Sequence, residues 1–302
     1  MQPMFGGAVT FRSFQEMEVL VGMYSDAGGE IIMAKPKMHE LDANRIEDTV
    51  GRFLEVCGKF NMPVFFHPQE ARSEKGYREW LVANDKKDME LIVESYARLM
   101  QALKGKKGTY PLFITHGGRL HVNGRQINGK DMETLEEAIS GTKQYLEKLY
   151  IAKMNIFGNE EFIILLENMP APGRNKGEEP VPYSVEQIAE VIAFLNGNVE
   201  ACLDVGHLQM TEEEVMRYIL AGVPIRCTHL HGNDTTDDQH FLPYGELMKR
   251  VEGLGKFLLD DKMVHILEIR RSVLRNTHPL ELKRVITSLK NGRLPSLQKA
   301  II

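Results

Sequence analysis

The 302-residue sequence predicts an α/β fold, a closed (β/α)8 TIM barrel, on three observations. Eight β-type runs alternate with eight helical stretches, the pattern of parallel strands joined by helical crossovers. The strands are mostly unbroken apolar runs, as expected where both faces of a sheet are covered. The length suits eight such units, since these barrels run to about 250 residues before insertions. An open doubly wound sheet is the alternative, but no Gly-rich dinucleotide or P-loop fingerprint follows the first strand.

The elements follow in order. GGAVTF (6–11) is the first strand and 13–26 the first helix. EIIMA (30–34) leads to a helix over 42–60, whose end Gly58 weakens. PVFFH (63–67) precedes a helix over 87–104, and PLFITH (111–116) one over 131–157. FIILLE (162–167) is followed by 184–196, where Ser184 has Gln187 three positions on, a capping signal. EACLD (200–204) is followed by 211–221, with Thr211 and Glu214 in the same relation. IRCTHLH (225–231) precedes 244–259, and VHILEI (264–269) precedes 278–290. Three longer segments, 68–86, 117–130 and 168–183, each directly follow a strand. They are therefore βα loops, the side on which a barrel carries its active site. No repeat or Pro-rich linker divides the chain, so residues 1–302 read as a single barrel domain.

Composition narrows the class. Hydrophobic residues are 43% and charged residues 26%, values of a soluble globular protein and too apolar for disorder. With 37 basic and 42 acidic residues the net charge is -5, so no overall basic excess advertises nucleic acid. Cys57, Cys202 and Cys227 are odd in number and form no close-spaced motif, which argues against disulfides and for a reducing compartment. The N-terminal MQPMFGGAVTF lacks a basic-then-apolar leader pattern. No run nears the roughly 20 apolar residues of a membrane span. The expectation is a cytoplasmic protein with no membrane partner. Asn233-Asp234-Thr235 matches a glycosylation acceptor and is read as chance.

The polar residues at the strand ends carry the chemistry. His67, His116 and Glu167 end the third, fourth and fifth strands. Asp204 ends the sixth and is followed by His207. The seventh carries His229 and His231, its loop Asp238 and His240, and the eighth Glu268. A lone strand-end His is ordinarily a hydrogen-bonded structural residue, but here six strands or their loops present His, Asp or Glu at one mouth. Imidazoles and carboxylates together are the ligand set for Zn²⁺, Mn²⁺ or related ions. Cys202 and Cys227 lie two residues before Asp204 and His229, on the same side but one layer deeper, and read as core. Alternation turns His265 away from Glu268, and His39 and His278 read as solvated. The TEEE run (211–214) reads as a helix start rich in carboxylates. His121, His231 and Arg119 are candidate substrate contacts. Arg125, Arg174 and Lys176 are further loop cations, either solvated or facing a phosphate.

The segments LLENMPAPGRNKG, CLDVGH, HLHGND with DDQH, and ILEI together resemble the xylose isomerase-like barrels, which include the endonuclease IV family and many sugar isomerases and epimerases. The resemblance runs from the third strand to the eighth. Its most specific part is the ordered series Glu, Asp-x-x-His, His-Leu, Asp-x-His, Glu. The isomerase branch implies a single Mn²⁺, Mg²⁺ or Zn²⁺ on Glu167, Asp204, His229 and Glu268, with Glu167 and Glu268 moving a proton beside a sugar or sugar-phosphate carbonyl. The endonuclease IV branch implies up to three Zn²⁺ ions. His67, His116 and Glu167 would hold the first. Glu167, Asp204, His229 and Glu268 would hold the second, and His207, Asp238 and His240 the third. That branch implies a metal-dependent hydrolase cleaving a phosphodiester, DNA among the candidates, with Glu167 bridging two ions and Glu268 orienting water. It is the preferred expectation. Two departures stand out. Asp-Val-Gly-His replaces the family's Asp-Thr-Cys-His, and His231 stands where it has Asn, so the seventh-strand ligand is either His229, preferred, or His231. The loop TTDDQ is acidic, a poor grip for a phosphate backbone.

Overall fold

The computed structural model describes residues 2–10, 13–37, 40–68, 86–121, 134–170, 178–211, 213–233, 238–248 and 251–296. Strands β1 (Met4–Thr10), β2 (Ile31–Lys35), β3 (Val64–Phe66) and β4 (Thr109–Thr115) form one side of a closed parallel barrel. Outside it, β5 (Arg119–His121) pairs antiparallel with β7 (Glu178–Pro180). The barrel continues through β6 (Ile163–Glu167), β8 (Glu200–Asp204), β9 (Ile225–Leu230) and β10 (Val264–Leu267), and β10 pairs back onto β1. The helices are α1 (Phe14–Asp26), α2 (Ile46–Lys59), α3 (Lys86–Leu103), α4 (Leu135–Phe157), α5 (Val185–Phe194), α6 (Val205–Leu208), α7 (Val215–Leu220), α8 (Leu254–Leu258), α9 (Arg271–Asn276) and α10 (Pro279–Lys290). The (β/α)8 architecture is thus as the sequence predicts. No described helix is long and apolar enough to cross a membrane.

Strand alternation explains why the apolar runs are unbroken. Ile31, Met33, Phe65, Ile114, Leu165, Cys202 and Cys227 fill the barrel interior. Their neighbours Ile32, Ala34, Phe66, Phe113, Leu166 and Leu203 face the helices in a second core. Both layers exclude water, so neither face of a strand needs polar residues. The two glycines of β1 have a steric cause at Gly7: a Cβ there would lie 1.9 Å from Cζ of the buried Tyr24. That close approach lets the Tyr24 hydroxyl donate to Leu267 O (3.3 Å) across the β1–β10 seam.

Several boundaries differ from expectation for local reasons. The helix expected from 131 starts at Leu135, because Thr134 and Glu137 form a reciprocal capping box. Ser184 caps α5 as expected, accepting from Gln187 N at 3.3 Å. Thr211 does not cap a helix. Its hydroxyl donates to Leu208 O and accepts from Glu213 N, closing the turn after α6, so α7 starts four residues later at Val215. Glu213 is correspondingly not a solvated first-turn carboxylate but buried, with Arg217 at 2.8 Å. The helix expected over 244–259 is one 3-10 turn at Gly245–Leu247 and the short α8, which begins after Gly253 at φ 88. Helices α6 and α9 and the β5–β7 pair were not expected. The pair joins the βα loops 117–130 and 168–183 at the barrel mouth.

Candidate metal centre

Strand ends assemble the centre. His67 and His116 directly follow β3 and β4, Glu167 closes β6, and Asp204 closes β8 opposite His229 in the β8–β9 register. Glu268 directly follows β10. Asp204 also caps α6, accepting from His207 N at 2.8 Å, so one turn of helix swings His207 over the mouth.

Among the described residues three His–carboxylate donor groups result, each with ligand atoms within 4.8 Å of one another, and a fourth set, Cys202, Cys227 and His229, meets the same distance one layer deeper. In the first, His67 Nε2 and His116 Nε2 lie 3.1 and 3.2 Å from Glu167 Oε2. In the second, His229 Nδ1 lies 3.3 Å from Glu167 Oε1, 3.5 Å from Asp204 Oδ2 and 2.9 Å from Glu268 Oε2. The third gathers His207, His231, Asp238 and His240, with His240 Nε2 2.9 Å and His207 Nε2 3.6 Å from Asp238 Oδ2. Glu167 thus belongs to two groups. All nine expected ligand positions come together at the mouth. His229 falls in the second group and His231 in the third, where it stacks on His240 with ring centroids 3.9 Å apart. His231 Nε2 also lies 2.9 Å from Asp204 Oδ1, which ties the second group to the third.

The far side of three of the imidazoles is anchored. His67 Nδ1 donates to Ile114 O at 3.2 Å, His207 Nδ1 to Asn168 O at 2.8 Å, and His240 Nδ1 to Glu268 O at 2.7 Å. These carbonyls fix each tautomer so that the Nε2 lone pair faces the carboxylates, the arrangement that metal-binding histidines use. Two asparagines overlooked in the sequence complete the support. Asn168 is fully buried and holds both backbone groups of Asp204, at 2.6 and 3.1 Å. Asn233 accepts from the amides of Gln239 and His240 and donates to Gly206 O. The only signal for them was their place in the quoted motifs, Asn168 next to Glu167 and Asn233 two residues after His231. Burial of Asn233 at 2% exposure also leaves its glycosylation match without access.

The donor set fits divalent ions. His67 Nε2, Glu167 Oε2, His229 Nδ1 and Glu268 Oε2 are buried and converge, yet none makes an aligned hydrogen bond. Leaving such atoms unpaired costs about 1–3 kcal/mol each, and a shared cation removes that cost. Charges agree. Burial pushes His67 down to about 4, so it is neutral and can offer a lone pair. Burial opposes charge on His207, but the carboxylates of Asp204 and Asp238 outweigh it and push it up to about 10. Burial likewise opposes ionisation of Glu167 and Glu268. For Glu167, His229 and His116 outweigh it, and for Glu268, Lys35 and His229 do. Both carboxyls are held well below the usual range. The chain therefore balances its carboxylates with protons on imidazoles, protons that bound ions would displace.

Other candidates lie elsewhere. Cys202 and Cys227 sit beneath His229, buried in the barrel interior. His265 faces the helices, with Nδ1 2.7 Å from Thr228 Oγ1 and Nε2 donating to Phe257 O. His278 is not simply solvated but caps α10, accepting from Leu280 N. Arg119 and His121 belong to β5 at the mouth, and their side chains lie outside the described residues. His39, Arg125, Arg174, Lys176 and part of the acidic loop (234–237) also lie outside them.

A (β/α)8 barrel with a buried, closely packed His and carboxylate centre at the C-terminal mouth of its strands defines the class of protein. The chain belongs to the xylose isomerase-like TIM barrel family, whose model matches residues 24–267. Solved structures of similar fold include a D-tagatose 3-epimerase-like protein (17% identity, TM-score 0.65, covering 95% of this chain and 97% of that one). A 3-keto-D-glucoside 4-epimerase from E. coli is similar at 11% identity and TM-score 0.64, covering 96% and 99%. Endonuclease IV from Thermus thermophilus matches at 16% identity and TM-score 0.57, covering 96% and 98%. At these identities the likeness is one of fold. No curated protein matches the sequence.

Proposed function

We propose that the protein is a metal-dependent hydrolase of phosphodiesters with three divalent ions, zinc by the chemistry of its imidazole-rich donors. The observation that carries this reading is the sharing of Glu167 between two donor groups while a third, of His207, His231, Asp238 and His240, stands beside them. A single-ion enzyme needs only the group Glu167, Asp204, His229 and Glu268, and would leave the other histidines converging on nothing.

Ions held there would supply Lewis acidity, making a nucleophile from water at neutral pH and offsetting charge on phosphoryl oxygens. The chain's own residues set the geometry. Glu167, at the end of β6, would be a ligand shared by two ions. Glu268, opposite it on the barrel rim, orients the attacking water through its carboxylate. Asp204, clamped by Asn168, and His207, anchored on Asn168 O, keep the second and third groups in register.

Elemental analysis of the purified chain tests the reading, with about three zinc ions per chain expected from the three donor groups. Hydrolysis of bis(p-nitrophenyl) phosphate should accompany them and be abolished by Glu268→Gln. A fully loaded chain holding one exchangeable Mn²⁺ or Mg²⁺ would sink the hydrolase and leave a sugar or sugar-phosphate isomerase on the four-donor group.

A further inference from the structure

Beside the metal centre lies a cavity of about 200 Å³, walled by Lys35, His240, Glu268, Arg270 and Arg271 over the small residue Ala8. At about 30 Å³ per water, it has room for a phosphoryl group and the first atoms of its ester. Its inner wall is the metal centre itself, through His240 and Glu268. Its outer wall is cationic. Glu16 is shared by Arg271 and Arg275, while Lys35 reaches Glu268. Arg270 spends one guanidinium N–H on the backbone carbonyl of Asp238 at 2.9 Å. Among the described residues no carboxylate lies within ion-pair distance of it.

We propose that this cavity is a second anion subsite, which seats a non-reacting phosphate group of the substrate on Arg270, Arg271 and Lys35 while the reacting group lies at the metal centre. The physical case is the planar fork of Arg, which matches phosphate oxygens in pairs. Arg270 is well held for this. Its backbone N–H is fixed on His240 O at 2.9 Å and its side chain on Asp238 O, so the guanidinium is positioned by the loop that carries the third donor group. The inference rests on the metal-centre reading only for where the rest of the substrate lies; the subsite stands whatever chemistry the ions perform. Its phosphate has two chemical sources, a small phosphorylated sugar or a neighbouring phosphate of a nucleic acid strand.

Calorimetric titration of the metal-loaded chain with ribose 5-phosphate, ribose and the 5′-phosphorylated dinucleotide of thymidine decides it. Ribose 5-phosphate should bind at least about tenfold tighter than ribose, the scale of one charge-assisted contact. Arg270→Gln should erase that advantage and Arg270→Lys retain part of it, both melting as wild type does. Stronger binding of the sugar phosphate or of the dinucleotide supports the subsite and identifies its source. Equal binding of ribose and ribose 5-phosphate overturns it. So does an undiminished advantage in Arg270→Gln, since the phosphate then sits on the metal. Arg270-dependent binding without turnover of any diester keeps the subsite and removes the hydrolase. Diester turnover with no dependence on Arg270 does the reverse.

Discussion

The backbone of Gly206 lies flat against the imidazole of His231: a Cβ on Gly206 would meet His231 Cε1 at 2.0 Å. Both lie among the positions where the sequence departs from the endonuclease IV pattern, and the structure couples them. Removing a side chain from the turn after β8 leaves room for a second imidazole after β9. That imidazole lies between Asp204 and His240.

Gly206→Ala should therefore destabilise the chain by about 1–3 kcal/mol, the usual cost of overpacking, and displace His231 from Asp204. Thermal melts of Gly206→Ala and of Gly206→Ala with His231→Asn check this. The double variant should recover most of the loss, because Asn vacates the space. A double variant no more stable than the single one would show that the Gly206–His231 contact is not the constraint.

Metal content should follow the sharing of donors. Glu167→Ala removes a ligand from two groups, whereas Asp238→Ala touches only the third. Elemental analysis should find about one ion in Glu167→Ala and about two in Asp238→Ala, against about three in the wild type. Equal losses in the two variants would show that Glu167 does not bridge.

How far the centre was legible follows from what kind of rule places each residue. His67, Glu167, Asp204, His229 and Glu268 lie at strand ends, and strand periodicity alone brings such residues to one mouth. The division of labour between His229 and His231 was not legible, because both point inward. It is the turn at Gly206 and the loop holding His240 at φ 52 that separate them. Asn168 escaped notice, and Asn233 showed only as a chance glycosylation match, because an amide announces nothing until its backbone partners are known. The β5–β7 pair, with three residues on each side, is too short to show periodicity, and its partners stand about sixty positions apart. Helix boundaries missed where a hydroxyl near a carboxylate closed a turn, as at Thr211, instead of capping a helix.

The thiols should be silent. Cys57, Cys202 and Cys227 are buried to 1% exposure or less. Burial pushes the Cys57 thiol up to about 12 and that of Cys202 well above its ordinary value. Since thiolate is the reactive form, a disulfide reagent such as DTNB should titrate no thiol in the native chain and all three in guanidinium. Fast reaction of a thiol in the native chain would show that its surroundings open to solvent.

Acid sensitivity should carry a contribution from His265. Its ring stacks on Phe5, Nε2 donates to Phe257 O, and Nδ1 accepts from Thr228, so both nitrogens are used by the neutral tautomer. Burial pushes it down to about 4. Between the unfolded value near 6.5 and the folded value near 4, the unfolded chain binds the extra proton. Stability from this group is therefore complete above about pH 6.5, falls as pH drops through that window, and levels off below about pH 4, a loss of up to about 3 kcal/mol. Urea unfolding at pH 7.5 and pH 4.5 measures it against His265→Gln. The variant should be the weaker of the two at pH 7.5, yet lose less on acidification, because Gln has no proton to gain. An identical drop in both would assign the acid sensitivity to the carboxylates and imidazoles of the mouth alone.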